Sequence, residues 1–351
     1  MRGDGWTLLH LAVYPLALAL LPLVASTAFP SGWLPSLAVT SINTNPTGDL
    51  VASKASPAAK LAQAEITIQP VPPIATVLTP SRLDQLQSDL RAIAAGSGGR
   101  VSISLQELSG PRRTSLSIGG GQSFYAASSY KLPLLMAEAQ QIAAGQARSS
   151  DALCYQPGDW EDGYFTDYTP GSCYTRQELS MRAGKFSDNT AAHILVRYLG
   201  GGAVLNSYGR SFGMTNSALW DPNTTTTDDL TNAWLNEALG RLGGSAAQQW
   251  LYPLLMHTAY EQGIPAGVPG NVSVVHKVGT MYGTENDSAF ITNGRISYVL
   301  SVAIDGIDEA SGWRVIAQIS SRIWQYEAGR PDFVAPVIAT PVPPLWPDRR
   351  H

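Results

Sequence analysis

The sequence predicts an α/β fold of the α+β kind, an antiparallel sheet flanked by helices with an all-helical subdomain inserted between its strands. Three observations carry this. Alternating apolar positions mark strands near both ends of the folded part. A mostly helical stretch from about Ser128 to Gly263 separates them. Asn293-Gly294, the strongest short hairpin signal, joins two late strands. With 351 residues, 44% hydrophobic and 14% charged, the chain has the length for one large domain with tails or two small domains, and the apolar content for a core.

In chain order, residues 1–28 hold an apolar run, Leu8 to Ala25, interrupted by His10 and broken by Pro15 and Pro22. Small residues at Ala25-Ser26-Thr27-Ala28 suit a signal-peptidase site, and the run is also long enough for an uncleaved anchor. Export is the reading, with an extracytoplasmic protein either secreted or anchored to the membrane through this segment. Residues 29–78 shift to Ser, Thr, Ala, Asn and Pro and read as linker. Residues 330–351, with six prolines, read as a disordered tail.

The folded domain is expected over residues 79–329 as a monomer. Thr79 is expected to cap a helix with Pro80 at its first position, and Leu83, Leu86, Leu90 and Ile93 then share a face. Val101, Ile103 and Leu105 alternate as a strand, with a hairpin partner at Leu116 and Ile118. Strands are expected at Val272 to Lys277, Ser288 to Ile291 and Ile296 to Ile304. A last helix from near Gly312 buries Val315, Ile316, Ile319 and Ile323 and stops at Gly329. Cys154 and Cys173 enclose a loop rich in Gly, Asp and Tyr. In an exported protein they are expected to form a disulfide, closing 173 − 154 = 19 residues.

Composition narrows the function. With 27 acidic against 23 basic residues, a net charge of −4 and a pI of about 5.7, the chain lacks a nucleic-acid footprint, so no nucleic-acid partner is expected. Two cysteines and five scattered histidines include no zinc-like spacing, so neither a metal nor a cofactor is expected. Only five basic residues are lysines: Lys54, Lys60, Lys131, Lys185 and Lys277. A site that needs a titratable amine cannot use arginine instead, so lysines kept inside the folded region draw attention.

Ser128-Ser129-Tyr130-Lys131 opens an apolar helix, Leu132 to Ala144. Ser128 and Lys131 are three apart and share a helical face, so the amine can act as base for the Ser128 hydroxyl. Ser187-Asp188-Asn189 follows at 187 − 128 = 59 residues, opening a helix from Thr190 to Leu199. Lys277-Val278-Gly279-Thr280 follows at 277 − 187 = 90 residues, at a strand end. Singly, each has an ordinary explanation: a capping serine beside a surface lysine, an N-cap cluster, and a glycine bulge.

Together and in this order, Ser-x-x-Lys, Ser-Asp-Asn and Lys-x-Gly resemble the active-site set of class A β-lactamases and penicillin-binding D,D-peptidases. The resemblance spans roughly Thr79 to Gly329. It is supported by Ala127 to Leu134, Phe186 to Ala192, Gly263 to Gly270 and Asn286-Asp287. It implies a β-lactamase-like sandwich and a β-lactam or cell-wall peptide substrate. It also implies Ser128 as nucleophile, Lys131 as its activating amine, Ser187 as proton relay and Lys277 as positive charge near the substrate carboxylate. Asn189 would hold the substrate amide, and Gly279 would pair with the substrate backbone. The N–H groups of Ser128 and Thr280 would form the oxyanion hole. Lys185 reads as a solvated loop lysine.

Three departures stand out. The omega-loop segment, Phe212 to Asp228, is short and holds no glutamate to activate the deacylating water. Val278 replaces a hydroxyl residue, and no arginine marks the carboxylate site, where Asn286 and Asp287 stand. Acylation should survive these losses better than deacylation, so β-lactam turnover is doubtful. Asp221 is the acidic residue expected nearest to the missing base, with Asp228 next. The alternatives are a D,D-peptidase, which needs no omega-loop glutamate, and a non-enzymatic descendant that binds cell-wall material.

Overall fold

The computed structural model describes residues 81–110 and 113–330. The export segment or anchor (1–28), the linker (29–78), Thr79, Pro80 and residues 331–351 of the tail lie outside the described residues. Among the described residues no helix is long and apolar enough to cross a membrane.

Helix α1 (Arg82–Gly96) starts later than the expected Thr79 cap. Ser81 is the N-cap: its hydroxyl accepts from the Asp84 N–H, while the Asp84 carboxylate binds the Ser81 N–H. β1 (Arg100–Glu107) and β2 (Ser115–Ile118) form the expected hairpin, with Ile103 opposite Ile118 and Leu105 opposite Leu116. Next come β3 (Phe124–Tyr125), a 3-10 turn (Ala127–Tyr130) and α2 (Lys131–Ala143). The helical part then carries β4 (Ala152–Cys154), β5 (Cys173–Thr175), α3 (Arg176–Lys185), α4 (Asn189–Leu199) and α5 (Gly202–Ser211). It continues through β6 (Ala218–Leu219), β7 (Asn223–Thr225), α6 (Thr227–Ala238) and α7 (Gly244–Leu251). The chain returns to the sheet as β8 (Ser273–Met281), β9 (Thr284–Thr292) and β10 (Ser297–Asp305) before α8 (Glu309–Ala328).

The main sheet runs β2-β1-β10-β9-β8, antiparallel throughout. β8 and β9 are longer than the sequence suggested. Their extra residues, Asn286, Asp287 and Glu285 among them, are polar yet buried, which hides a strand from a reading based on apolar alternation. The turn at Asn293-Gly294 is as expected: Gly294 takes φ 82°, and Asn293 Oδ1 accepts from the Arg295 and Ile296 N–H groups. α8 begins three residues before Gly312, because Asp308 caps it by accepting from the Ser311 N–H.

Two apolar cores flank the sheet. On one side α1 and α8 bury Leu86, Leu90, Ile316, Ile319 and Ile323 against Ile103, Leu105, Leu300 and Val302. On the other, α2 is buried on every face from Lys131 to Ala139 and packs among α3, α4, α5 and α7. α6 meets the sheet through hydroxyls, with Thr227 Oγ1 2.6 Å from Ser102 Oγ and Thr231 Oγ1 2.9 Å from Ser301 Oγ. Arg330, which the sequence reading put at the head of the tail, belongs to the folded domain: it is buried and its Nη1 lies 2.9 Å from Glu107 Oε1.

Cys154 and Cys173 form the expected disulfide, on directly opposed positions of β4 and β5. Closing the 19-residue loop should contribute about 3 kcal/mol by restricting the unfolded chain. The double variant Cys154→Ser/Cys173→Ser is expected to lose that amount in equilibrium urea unfolding. An unchanged midpoint and slope would show the cross-link to be energetically idle.

Candidate active site

The 3-10 turn before α2 presents Ser128 to a cleft of about 570 Å³, while Ser129 points into the interior at 1% exposure. The turn is held from three sides. Asn223 Nδ2 donates to the Ala127 carbonyl at 2.9 Å, Asn286 Nδ2 donates to the Tyr125 carbonyl at 2.9 Å, and β8 packs beneath. Ala127 is driven to φ 46°, a left-handed conformation that costs a non-glycine residue about 1–3 kcal/mol. That backbone geometry sets Ser128 at the cleft.

Lys131, the first residue of α2, is fully buried. Its Nζ lies 2.9 Å from Ser128 Oγ and 2.6 Å from Asn189 Oδ1, and it also donates to the Ser187 carbonyl. Burial lowers its pKa to about 7, against the opposing charges of Asp188 and Glu161. A neutral amine has two N–H groups and one lone pair. Asn189 and the Ser187 carbonyl take the two N–H groups, which leaves the lone pair for the Ser128 hydroxyl proton.

Ser187 sits between α3 and α4 at φ 57°. Asp188 holds this corner: its buried carboxylate accepts from the Ala191 N–H at 2.8 Å, the Phe165 N–H at 2.9 Å and the Tyr168 hydroxyl at 2.6 Å. It is the N-cap that the bland reading of Ser-Asp-Asn anticipated, in the same motif that brings two polar groups to the cleft. Lys277 Nζ donates to Ser187 Oγ at 2.9 Å and to the Val278 carbonyl at 2.9 Å. Burial, then repulsion from Lys131, holds Lys277 well below the usual lysine range. Both amines reach one serine, so a proton on either disfavours a proton on the other.

Ser128, Lys131, Ser187, Lys277 and Asn189 are thus brought together. Asn189 spends both ends of its amide within the protein, since Nδ2 donates to the Asp162 carbonyl at 2.7 Å. Val278 and Thr280 line the cleft, whereas Gly279 does not. A Cβ on Gly279 would lie 2.4 Å from the Ala126 carbonyl oxygen and 2.6 Å from Ser129 Oγ. What approaches the strand so closely is the protein's own Ser128 turn. Asn286 tethers that turn, and Asp287 binds His276 Nδ1 at 2.9 Å and the Ile264 N–H at 2.8 Å. Both face inward, away from a carboxylate-binding role.

Asp221 is exposed and absent from the cleft wall, and Asp228 Oδ1 bonds Ser104 and Ser117 instead. The acidic residue that does line the cleft is Glu161, in the disulfide-closed loop, with Oε2 2.6 Å from His193 Nε2. Sequence reading missed both partners. Glu161 carries no local signal, but His193 stands one turn after Asn189, and i, i+4 spacing puts the two on one helical face. Tyr125, Tyr164, Trp220 and Tyr260 complete an aromatic wall.

The model of the beta-lactamase enzyme family matches residues 85–327. The chain is 29% identical over 247 residues to beta-lactamase CTX-M-8 of Citrobacter amalonaticus, covering 63% of this chain and 81% of the relative. Among solved structures, an ancestral class A beta-lactamase superimposes with a TM-score of 0.63 at 27% identity, covering 69% of this chain and 99% of that one. PBP-A superimposes with a TM-score of 0.64 at 24% identity, covering 69% and 95%, a likeness of fold.

The close approach at Gly279 gives a direct test. Gly279→Ala must displace backbone atoms of the Ser128 turn, and such overpacking typically costs about 1–3 kcal/mol. The variant should melt earlier and lose reactivity at Ser128 toward an active-site acylating probe. Full stability and full labelling would show that the turn has room to move.

Proposed function

The chain belongs to the beta-lactamase enzyme family, and we propose that it cleaves amide bonds of the β-lactam or D-Ala-D-Ala type through an acyl-enzyme on Ser128. The observation that carries this reading is Lys131: a fully buried amine, 2.9 Å from the serine oxygen, with its donor capacity committed elsewhere. A merely structural lysine would be expected to keep its charge in a salt bridge or in water. The same contact weighs against a non-enzymatic binding protein.

In the proposed cycle the neutral Lys131 amine takes the Ser128 proton as Oγ attacks the scissile carbonyl carbon. The N–H groups of Ser128 and Thr280 would stabilise the tetrahedral oxyanion. Ser187, bonded to Lys277 and within 3.5 Å of Lys131 Nζ, would pass its proton to the leaving nitrogen as the C–N bond breaks and take the proton that Lys131 received from Ser128 in its place. Thr280 at the cleft wall and the Lys277 amine beneath it would meet the substrate carboxylate, since Val278 offers no hydroxyl. The aromatic wall suits an apolar acyl side chain. The D,D-peptidase reading remains as the second one, favoured because residues 212–228 bring no acid to the cleft wall.

The test is intact-protein mass spectrometry after exposure to penicillin G, a chromogenic cephalosporin and an acyl-D-Ala-D-Ala peptide, with peptide mapping of any adduct. The label should fall on Ser128 and vanish in Ser128→Ala. A label that survives Ser128→Ala and vanishes in Ser129→Ala would overturn the assignment. Hydrolysis of the peptide without the β-lactams would select the peptidase reading.

The lowered pKa of Lys131 fixes the sign of a pH effect. Below about 7 the amine carries a proton and cannot accept another; above it the lone pair is free. Acylation should therefore fall about tenfold per pH unit below that value and level off above it. A flat acylation rate between pH 5 and 9 would exclude Lys131 as the base.

A further inference from the structure

Glu161 reaches the cleft from a segment that the catalytic motifs do not include. It lies in the loop between Cys154 and Cys173, and its backbone is pinned to the start of α4. The Glu161 N–H donates to Thr190 Oγ1 at 3.1 Å, and the Thr190 hydroxyl donates to the Glu161 carbonyl at 2.8 Å. The next carbonyl, of Asp162, accepts from the same Asn189 that bonds Lys131. Glu161 is thus one residue along the chain from a direct hydrogen-bonded path to the Ser128–Lys131 pair. Its carboxylate is braced by His193, whose ring lies 4.9 Å from that of Trp220. No other Asp or Glu among the described residues lines this cleft.

We propose that Glu161, positioned by His193, is the general base that activates water on the Ser128 acyl-enzyme. The proposal rests on the acyl-enzyme reading and supplies the group that residues 212–228 do not bring. His193 binds Oε2, which leaves the acceptor capacity of Oε1 for a water molecule. Glu161 takes a proton from that water as its oxygen bonds to the acyl carbon. When the tetrahedral species collapses, the bond from carbon to Ser128 Oγ breaks, Oγ receives through the Lys131 amine the proton that Glu161 accepted, and the product leaves as the free acid with both groups restored. The His193 hydrogen bond, then the charges of His193 and Lys131, hold the Glu161 carboxyl below its ordinary range against partial burial, so it is ionised at neutral pH. The charged groups that act on it are His193 on α4 and Lys131 on α2.

The test separates formation of the adduct from its release. Parent, Glu161→Gln and Asp221→Asn proteins are acylated with a chromogenic cephalosporin and with penicillin G, freed of excess reagent, and followed by mass spectrometry. Glu161→Gln leaves the backbone bonds to Thr190 intact, so the fold is retained. It should acylate near the parent rate and release the adduct about 10²–10⁴-fold more slowly, the usual cost of losing a general base. Asp221→Asn should release like the parent. His193→Ala should also slow release, while His193→Asn, which keeps an N–H donor, should recover part of the rate, as a positioning role requires.

Parent-like release from Glu161→Gln overturns the proposal, as does slow release from Asp221→Asn alone. Loss of acylation with unchanged release in Glu161→Gln would make the carboxylate a substrate-reading group and overturn it too. A parent adduct that forms on Ser128 and never releases overturns the proposal while leaving the acyl-enzyme reading intact. A parent that forms no adduct removes both.

Discussion

Burying the Lys131 amine with no carboxylate directly paired to it is the constraint that organises the cleft. An unpaired ammonium in the interior would cost several kcal/mol, so the fold lowers the amine's proton affinity and commits its N–H groups to fixed acceptors. Those acceptors must be placed firmly. The Ser187 carbonyl is aimed by a left-handed backbone, and Asn189 by the first turn of α4. The strained corner persists because Asp188 binds the Ala191 N–H, the Phe165 N–H and the Tyr168 hydroxyl at once. Strain at Ser187 and satisfaction at Asp188 are two sides of one arrangement.

The edge strand β8 extends the same logic. Lys277 brings a second buried amine to Ser187, and the adjacent residue, His276, carries compensating chemistry into the interior. Burial opposes a charge on His276, but Asp287 and Glu261 outweigh it and raise its pKa to about 9. His276 therefore stays protonated at neutral pH and ties β8 to β9 and to the segment around Glu261. A strand held so firmly from below can accept the Ser128 turn pressed against Gly279 from above.

Much of the fold was legible because apolar alternation and capping chemistry act locally: α1, the β1–β2 hairpin, the Asn293-Gly294 turn and the buried face of α8 follow from spacing. β8 and β9 were underestimated, since Glu285, Asn286 and Asp287 are buried polar residues whose partners come from other segments. The same reason divides the site. Ser128, Lys131, Ser187 and Lys277 stood out in the sequence because each belongs to a short run of near-contiguous residues, and the structure brings the four together. Glu161 joins the cleft through contacts with Thr190 and His193, 29 and 32 residues further along the chain (190 − 161 and 193 − 161). Gly279 was legible as a point of close approach, and a Cβ there would meet the Ala126 carbonyl and Ser129 of the Ser128 turn.

The loop between the two cysteines divides labour in a way that bears on how this chain can change over generations. It contributes Glu161, Gly163 and Tyr164 to the cleft. Its attachment near the cleft runs largely through main-chain atoms of Glu161, Asp162 and Phe165 and through the cross-link at its base. Of the three cleft residues, Tyr164 is exposed and can be exchanged without touching the buried amines, whereas a Cβ on Gly163 would lie 2.9 Å from Asp188 Oδ2 and the Glu161 charge acts on Lys131. On the proposed acyl-enzyme reading, a substitution at Tyr164 would alter which acyl groups are admitted at small cost to folding. On that reading the outer rim of the loop is free to vary, while Glu161 and Gly163 are tied to the same buried arrangement as Ser128 and Lys131.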